Sequence, residues 1–252
     1  MLAIIGGSGL TQLSSLEVGR HKVMRTPYGE PSGALTFGRI GACDVIFLAR
    51  HGYGHTIPPH EVNYRANLWA LREAGAASVV SVASVGGIRN DIWPGTLVLP
   101  HQVIDYTWGR ASTFFEGPGQ PVNHIDFTEP YSRSVREQLL NAAGAIGERI
   151  MDGAVYAATQ GPRLETAAEI DRLERDGADI VGMTGMPEAS LAREIGLEYA
   201  AIAVVANYAA GRGDSEHAVP LDKIQAVLDV AMGRVRRVIS AAVSRRGPWV
   251  AA

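Results

Sequence analysis

The chain has 252 residues with 23 basic against 26 acidic side chains, a net charge of −3 and no basic tract able to follow a phosphodiester backbone, so nucleic acid is not an expected partner. Its most apolar stretch, Ala200 to Ala206, is about a third of a bilayer crossing, and Met1-Leu-Ala-Ile-Ile-Gly-Gly has neither the basic leader nor the unbroken apolar run of a signal peptide. Cys43 is the single cysteine, which excludes an internal disulfide and agrees with a reducing compartment; a cytoplasmic chain of one domain over residues 1–252, with no membrane partner, is expected.

Short β-branched runs alternate with amphipathic stretches, which predicts an α/β fold with a mixed, mostly parallel central sheet flanked by helices. The first strand begins at Ile4-Ile5 and runs into Gly6-Gly7-Ser8-Gly9. Such a turn lets backbone N–H groups and a serine converge on an anion, although a plain tight turn uses the same residues. A dinucleotide-binding turn is disfavoured, because Gln12 stands where its third glycine belongs. A hairpin-like pair follows at Ala34–Arg39 and Asp44–Ala49, and Arg50-His51 come at the carboxyl end of its second strand, where open α/β sheets bind ligands. Arginine offers a planar fork for phosphate oxygens and histidine a further donor. With His55 and His60 nearby a metal is the competing reading, but no carboxylate or thiolate completes a known ligand spacing and none is expected.

A helix over Val62–Ala74 closes at Gly75, and the strand Ser78–Ala83 continues into Ser84-Val-Gly-Gly87, small residues that suit either close approach to a ligand or a simple turn. Leu97–Leu99 is a further short strand. The segment Tyr106 to Glu129 is too long for a connector and is expected at a functional site or an interface. A helix over Tyr131–Ala143 and a strand at Val155–Ala158 lead to Thr159-Gln-Gly-Pro-Arg-Leu164-Glu165, at the mouth of a helix over Thr166–Asp176. A carboxylate there is ordinarily a solvated N-terminal charge. Ile180-Val181 runs into Gly182-Met183-Thr184-Gly-Met-Pro187-Glu188, where a helix over Pro187–Ile195 begins; Thr184 is well placed to donate, while methionines are ordinarily core. Tyr199–Val205 is followed by Asn207, ordinarily a turn former. The terminal helix starts near Pro220, and Leu221, Ile224, Val227, Leu228, Val235, Val238 and Ile239 mark one buried face. Each signal is modest, and their common place at the ends of neighbouring strands is what defines a site.

Taken in order, the Gly-Gly-Ser-Gly turn, Ala49-Arg50-His51-Gly52, His55-Thr-Ile-Pro-Pro, Val62-Asn63-Tyr64-Arg-Ala-Asn-Leu-Trp-Ala-Leu, Gly161-Pro162-Arg163 and Gly182-Met183-Thr184 with Pro187-Glu188 resemble the trimeric purine nucleoside phosphorylases. Within them the chain is most similar to the methylthioadenosine and methylthioinosine branch, from about Ile4 to the terminal helix. The resemblance implies a pentosyltransferase of purine salvage that takes inorganic phosphate as co-substrate, needs no cofactor or metal, and works as a homotrimer or dimer of trimers. It assigns phosphate to Ser8, Arg50, His51, Thr184 and the backbone around Ala83-Ser84; Ala83 stands where the family commonly has threonine. Met183 would pack under the ribose, and Glu165 and Asn207 would read the base beside Leu164, Tyr208 and Ala209. Arg50, His51 and Asn207 would be the catalytic residues, and His124 matches a residue that closes the sugar's 5′ end from the adjacent subunit.

Within that resemblance, residue chemistry narrows the substrate. A 6-oxopurine presents N1–H as donor with O6 and N7 as acceptors, which a carboxylate and a carboxamide complement, whereas the adenine branch carries a small hydroxyl residue at position 165 and aspartate at 207. A mismatched buried donor costs about 1–3 kcal/mol, so Glu165 and Asn207 favour the oxopurine. Leu221, where ordinary inosine phosphorylases have histidine, and Ile224 would form an apolar slot for a methylthio group, or serve only as helix core. The expected substrate is 5′-methylthioinosine; the alternatives are a general inosine and guanosine phosphorylase, a methylthioadenosine phosphorylase, a non-catalytic nucleotide or phosphate sensor, and a dinucleotide-dependent oxidoreductase.

Overall fold

The computed structural model describes residues 1–10, 13 and 15–244; Gln12 and residues 245–252 lie outside them. The eleven strands of the described residues form one sheet. Its first strand, β1 (Leu2–Gly6), is apolar and buried throughout, as a strand covered on both faces must be. It runs parallel to β4 (Cys43–Ala49) on one side and to β5 (Ser78–Gly87) on the other. The expected hairpin is present as β3 (Leu35–Ile40) and β4, and β2 (Glu17–Lys22) extends it antiparallel at the edge. All six residues of β2 are exposed, so it carries no apolar alternation by which to be read.

The strand β5 is the hinge of the topology. Besides β1 it pairs in parallel with β11 (Glu198–Tyr208), and its last residues pair antiparallel with β10 (Ile180–Gly182). Next come β9 (Val155–Ala158), parallel to β10, and the edge strand β7 (Gln102–Asp105). The short strands β6 (Leu97–Leu99) and β8 (Met151–Asp152) continue the sheet beyond β11. Because β10 runs back along β5, its carboxyl end comes to the middle of that strand, beside Ala83-Ser84, and not beside the carboxyl end of β5. The sheet accordingly changes partner and direction beside Ala83-Ser84, a switch point of the kind where open sheets leave a crevice.

Helices α1 (Tyr64–Glu73) and α4 (Gly185–Glu194) pack apolar side chains such as Leu68, Leu71 and Leu191 on one face of the sheet, while α2 (Arg133–Ala145) and α5 (Leu221–Ser244) bury Leu139, Val235 and Val238 on the other. Helix α3 (Ala167–Arg175) starts with a reciprocal capping box between Thr166 and Glu169. In α4 the residue Met186 is extended (φ −122°, ψ 141°), so the regular helix begins at Pro187, whose fixed φ suits a first turn.

Candidate active site

The ends of β1, β4, β10 and β11, the middle of β5, the segment after β9 and the start of α5 enclose a cavity of about 550 Å³. Ser8 stands at the tip of the turn after β1 and borders it. Gly7 makes that turn possible: a Cβ there would come within 2.5 Å of the Val82 carbonyl oxygen and 2.8 Å of Arg50 Nη1. Ala83 and Ser84 border the same end, with Ser84 Oγ donating to the Ser8 carbonyl at 3.3 Å. Thr184, nearly buried, is the residue before α4 and does not cap it with its side chain.

Arg50 has no solvent exposure. Its Nε and Nη2 donate to the two carboxylate oxygens of Glu188 at 2.7 and 2.9 Å, Nη2 also donates to Ser81 Oγ, and Nη1 to the Val82 carbonyl at 3.0 Å. The planar fork expected to clamp phosphate is thus turned onto Glu188, because a guanidinium this deeply buried needs an anionic partner. Of five N–H donors, one on Nη1 remains for the cavity that Arg50 borders. Burial works against both charges, but their mutual attraction and hydrogen bonds outweigh it, holding the Arg50 cation above and the Glu188 acid below their ordinary ranges. Glu188 also accepts from Ser81 Oγ and the Tyr199 hydroxyl.

His51 Nδ1 lies 2.8 Å from the Ile57 carbonyl oxygen, which can only accept, so Nδ1 carries the hydrogen and Nε2 is an acceptor in the neutral ring. Burial, and then the Arg50 charge, push the imidazolium down to about 4 from its usual 6.5. Between those values the unfolded chain takes up a proton that the folded chain does not, so stability falls on acidification, by about 2 kcal/mol at pH 5. Thermal unfolding from pH 7 to 5 checks this. A His51→Asn variant is expected to lose that part of the acid slope, and parallel curves would refute the assignment.

At the opposite end Glu165 borders the cavity, and Thr159 Oγ1 donates to one of its oxygens at 2.6 Å, which orients the carboxylate. Asn207 arrives through a β-bulge: the pairing of β11 with β5 slips between Val205 and Asn207, re-aiming the side chain. Its Nδ2 donates to the Tyr208 carbonyl at 2.6 Å. Leu164 and Ala209 line the wall, but Tyr208 does not. Successive strand residues face opposite ways, so the Tyr208 ring packs instead against Gly213, where a Cβ would lie 2.7 Å from it. Met183 borders the middle of the cavity against Gly161, whose φ of 63° favours glycine and where a Cβ would displace the Met183 thioether, 2.4 Å away.

The apolar wall consists of Val219, Ile224 and Leu228. The expectation for Leu221 is corrected: as the first residue of α5 it is 66% exposed, only later turns of the helix reach the cavity, and Val219 before the helix takes its place. His124 is exposed and does not border the cavity of its own chain. His60 is exposed with Glu61 3.7 Å away, and no cluster of three or more potential metal ligands occurs among the described residues.

Two functional features escaped the sequence reading. Glu188 stood in a recognised motif without a role. Arg110, in the long segment after β7, donates from Nη1 to the carbonyls of Met183 and Met186 at 2.8 and 2.6 Å and from Nη2 to that of Gln160 at 2.8 Å. It pins that segment to both the middle and the base end of the site, whereas in sequence it looks like a solvated charge.

Residues 1–244 match the family model of the phosphorylase superfamily, and the chain belongs to that family. It is 52% identical over 242 residues to a probable S-methyl-5′-thioinosine phosphorylase of Pseudomonas syringae pv. tomato, covering 96% of this chain and 98% of that one. It is 46% identical over 215 residues to a 6-oxopurine nucleoside phosphorylase of Pyrococcus furiosus, covering 83% and 80%. The structure of methylthioadenosine phosphorylase from Schistosoma mansoni in complex with adenine superposes with a TM-score of 0.92 at 33% identity, covering 96% of this chain and 90% of that one. Among the described residues no helix is long and apolar enough to cross a membrane.

Proposed function

We propose that the chain phosphorolyses S-methyl-5′-thioinosine to hypoxanthine and 5-methylthioribose 1-phosphate, as a purine salvage enzyme. The observation that carries this reading is the meeting, in one cavity, of the donors of Ser8, Arg50 and Thr184 with the carboxylate of Glu165 and the carboxamide of Asn207. A phosphate oxygen bonds to C1′ as the C1′–N9 bond breaks, the electron pair leaves with the purine, and the proton given up by hydrogen phosphate ends on the base. Phosphate held by Ser8, Thr184, the Ala83-Ser84 backbone and the remaining Arg50 N–H, with its own hydroxyl donating to His51 Nε2, is both the nucleophile and the anionic partner of the developing sugar cation, and Met183 supports the ribose. Glu165 accepts from N1–H, and Asn207 donates to N7 or O6 as the base gains charge, so positioning and electrostatics supply the acceleration. The apolar wall of Val219, Ile224 and Leu228 suits a methylthio group and leaves a hydroxyl without a partner.

In this reading residues 1–252 act as one catalytic domain in the cytoplasm, with phosphate as co-substrate and no other cofactor. The working form is a homotrimer or a dimer of trimers, with His124 of the partner subunit closing the 5′ end. A general 6-oxopurine phosphorylase is the second reading, favoured by the likeness to the Pyrococcus furiosus protein. Free-base release from methylthioinosine, inosine and methylthioadenosine, with and without phosphate, separates them. Methylthioinosine is expected to have the highest kcat/KM, with no release when phosphate is absent; equal rates on inosine would favour the second reading, and phosphate-independent or absent release would sink both.

A further inference from the structure

The charges at the anion end of the cavity do not add up to a site for a dianion. Arg50 is neutralised by Glu188 where it stands, His51 is held neutral by burial and by Arg50, and Ser8, Ser84 and Thr184 are uncharged. Glu165, at the base end, is itself an anion. Among the described residues one more ionisable side chain borders the cavity, and it is His55.

The backbone is specifically arranged to bring it there. Among the described residues His55 is the one non-glycine with positive φ, at 51°, a conformation that is rare for side-chain-bearing residues and gathers at functional sites. The turn is fixed by the His55 amide donating to the Gly52 carbonyl at 3.1 Å and by the Thr56 and Ile57 amides donating to that of His51 at 3.0 and 3.2 Å. As a result His55 Nε2 lies 2.9 Å from Ser8 Oγ, and its ring centre is 4.9 Å from that of His51. This ring therefore flanks the hydroxyl at the tip of the glycine turn.

We propose that His55 is an additional anion-binding residue of this site, which donates to phosphate as an imidazolium and supplies the positive charge that the Arg50–Glu188 pair withholds. The inference rests on the phosphate reading of the cavity. The groups facing the ring are Ser8 from the turn after β1 and His51 from its own loop, with Arg50 adjoining His51; among the described residues no carboxylate bonds to it. An anion entering between Ser8 and His55 exchanges their mutual hydrogen bond for one from each, and the bond from a cation is the stronger.

Calorimetric binding of inorganic sulfate, a dianion that does not titrate in this range, and of inorganic phosphate to the full chain at pH 6 and pH 8 tests the assignment. His55→Asn is the variant of choice, because asparagine tolerates the left-handed backbone and cannot be charged. The wild type is expected to bind sulfate about tenfold more tightly at pH 6 than at pH 8. In His55→Asn that pH dependence should vanish, and affinity at pH 6 should fall by about ten- to a hundredfold, with the melting temperature unaltered. Sulfate affinity within twofold of wild type with the same pH dependence would overturn the role of His55 and leave the phosphate site intact. If the wild type binds neither anion at either pH, the inference and the phosphate reading fall together.

Discussion

Glu188→Ala is expected to cost about 3–5 kcal/mol of folding free energy, the range for removing one partner of a buried ion pair. Arg50 is completely buried and Glu188 is 1% exposed, so water cannot take over the role of the missing carboxylate. The loss strands the Nε and one Nη2 donor of a cation, together with the Ser81 and Tyr199 hydroxyls that also lean on Glu188. The surroundings are already short of polar partners: Tyr131, stacked on Tyr199 with ring centres 6.0 Å apart, has a buried hydroxyl that makes no hydrogen bond among the described residues. For a chain of this size the loss corresponds to a melting temperature lower by about 10 °C, measurable by scanning calorimetry. Glu188→Gln, which keeps an acceptor, should fall between. Arg50→Met combined with Glu188→Leu should restore much of the stability without phosphorolysis, because the pair would be replaced by apolar volume while the cavity loses its guanidinium. A melting temperature for Glu188→Ala within about 2 °C of wild type would mean that the pair is more solvated than its geometry indicates.

The second large effect is on turnover. Asn207→Ala is expected to lower kcat on methylthioinosine by about a hundred- to a thousandfold, with a smaller change in KM. The bulge at Ala206 brings this amide to the cavity, and in the proposed role its hydrogen bond strengthens as the departing purine becomes negative. A ground-state contact would behave differently, raising KM and sparing kcat. Asn207→Asp exchanges an amide donor for an acceptor, which complements the amino group of adenine, so kcat/KM should shift towards methylthioadenosine. Steady-state kinetics on both nucleosides decide the matter; an alanine variant with undiminished kcat is incompatible with the proposed role.

The legible parts of the fold are those with local signals. The paired strands β3 and β4, the apolar β6 and β9, the capped start of α3 and the proline start of α4 lie within a few residues of their sequence-based positions, since apolar runs, caps and prolines act over a turn or two. Strands β5 and β11 were read too short. Gly86-Gly87 and Asn207-Tyr208 look like turns in isolation but become strand by pairing with each other. The strands β2, β7 and β8 were missed because the first is wholly exposed, the second has no fully buried residue and the third is only two residues long.

The sequence by itself determined which residues stand at strand ends and helix mouths, and so that Ser8, Arg50, His51, Glu165, Thr184 and Asn207 were available for one site; period, turn and cap chemistry are local, and the chain carries them openly. Only the tertiary structure decided how those groups are used. Arg50 turns its fork onto a carboxylate 138 residues away, Ser8 meets His55 across 47, a bulge directs Asn207, and Val219 replaces Leu221 on the apolar wall. Each of these depends on which distant segment shares a buried volume, and the desolvation that forces Arg50 onto Glu188 exists only once the sheet and α4 have closed around them.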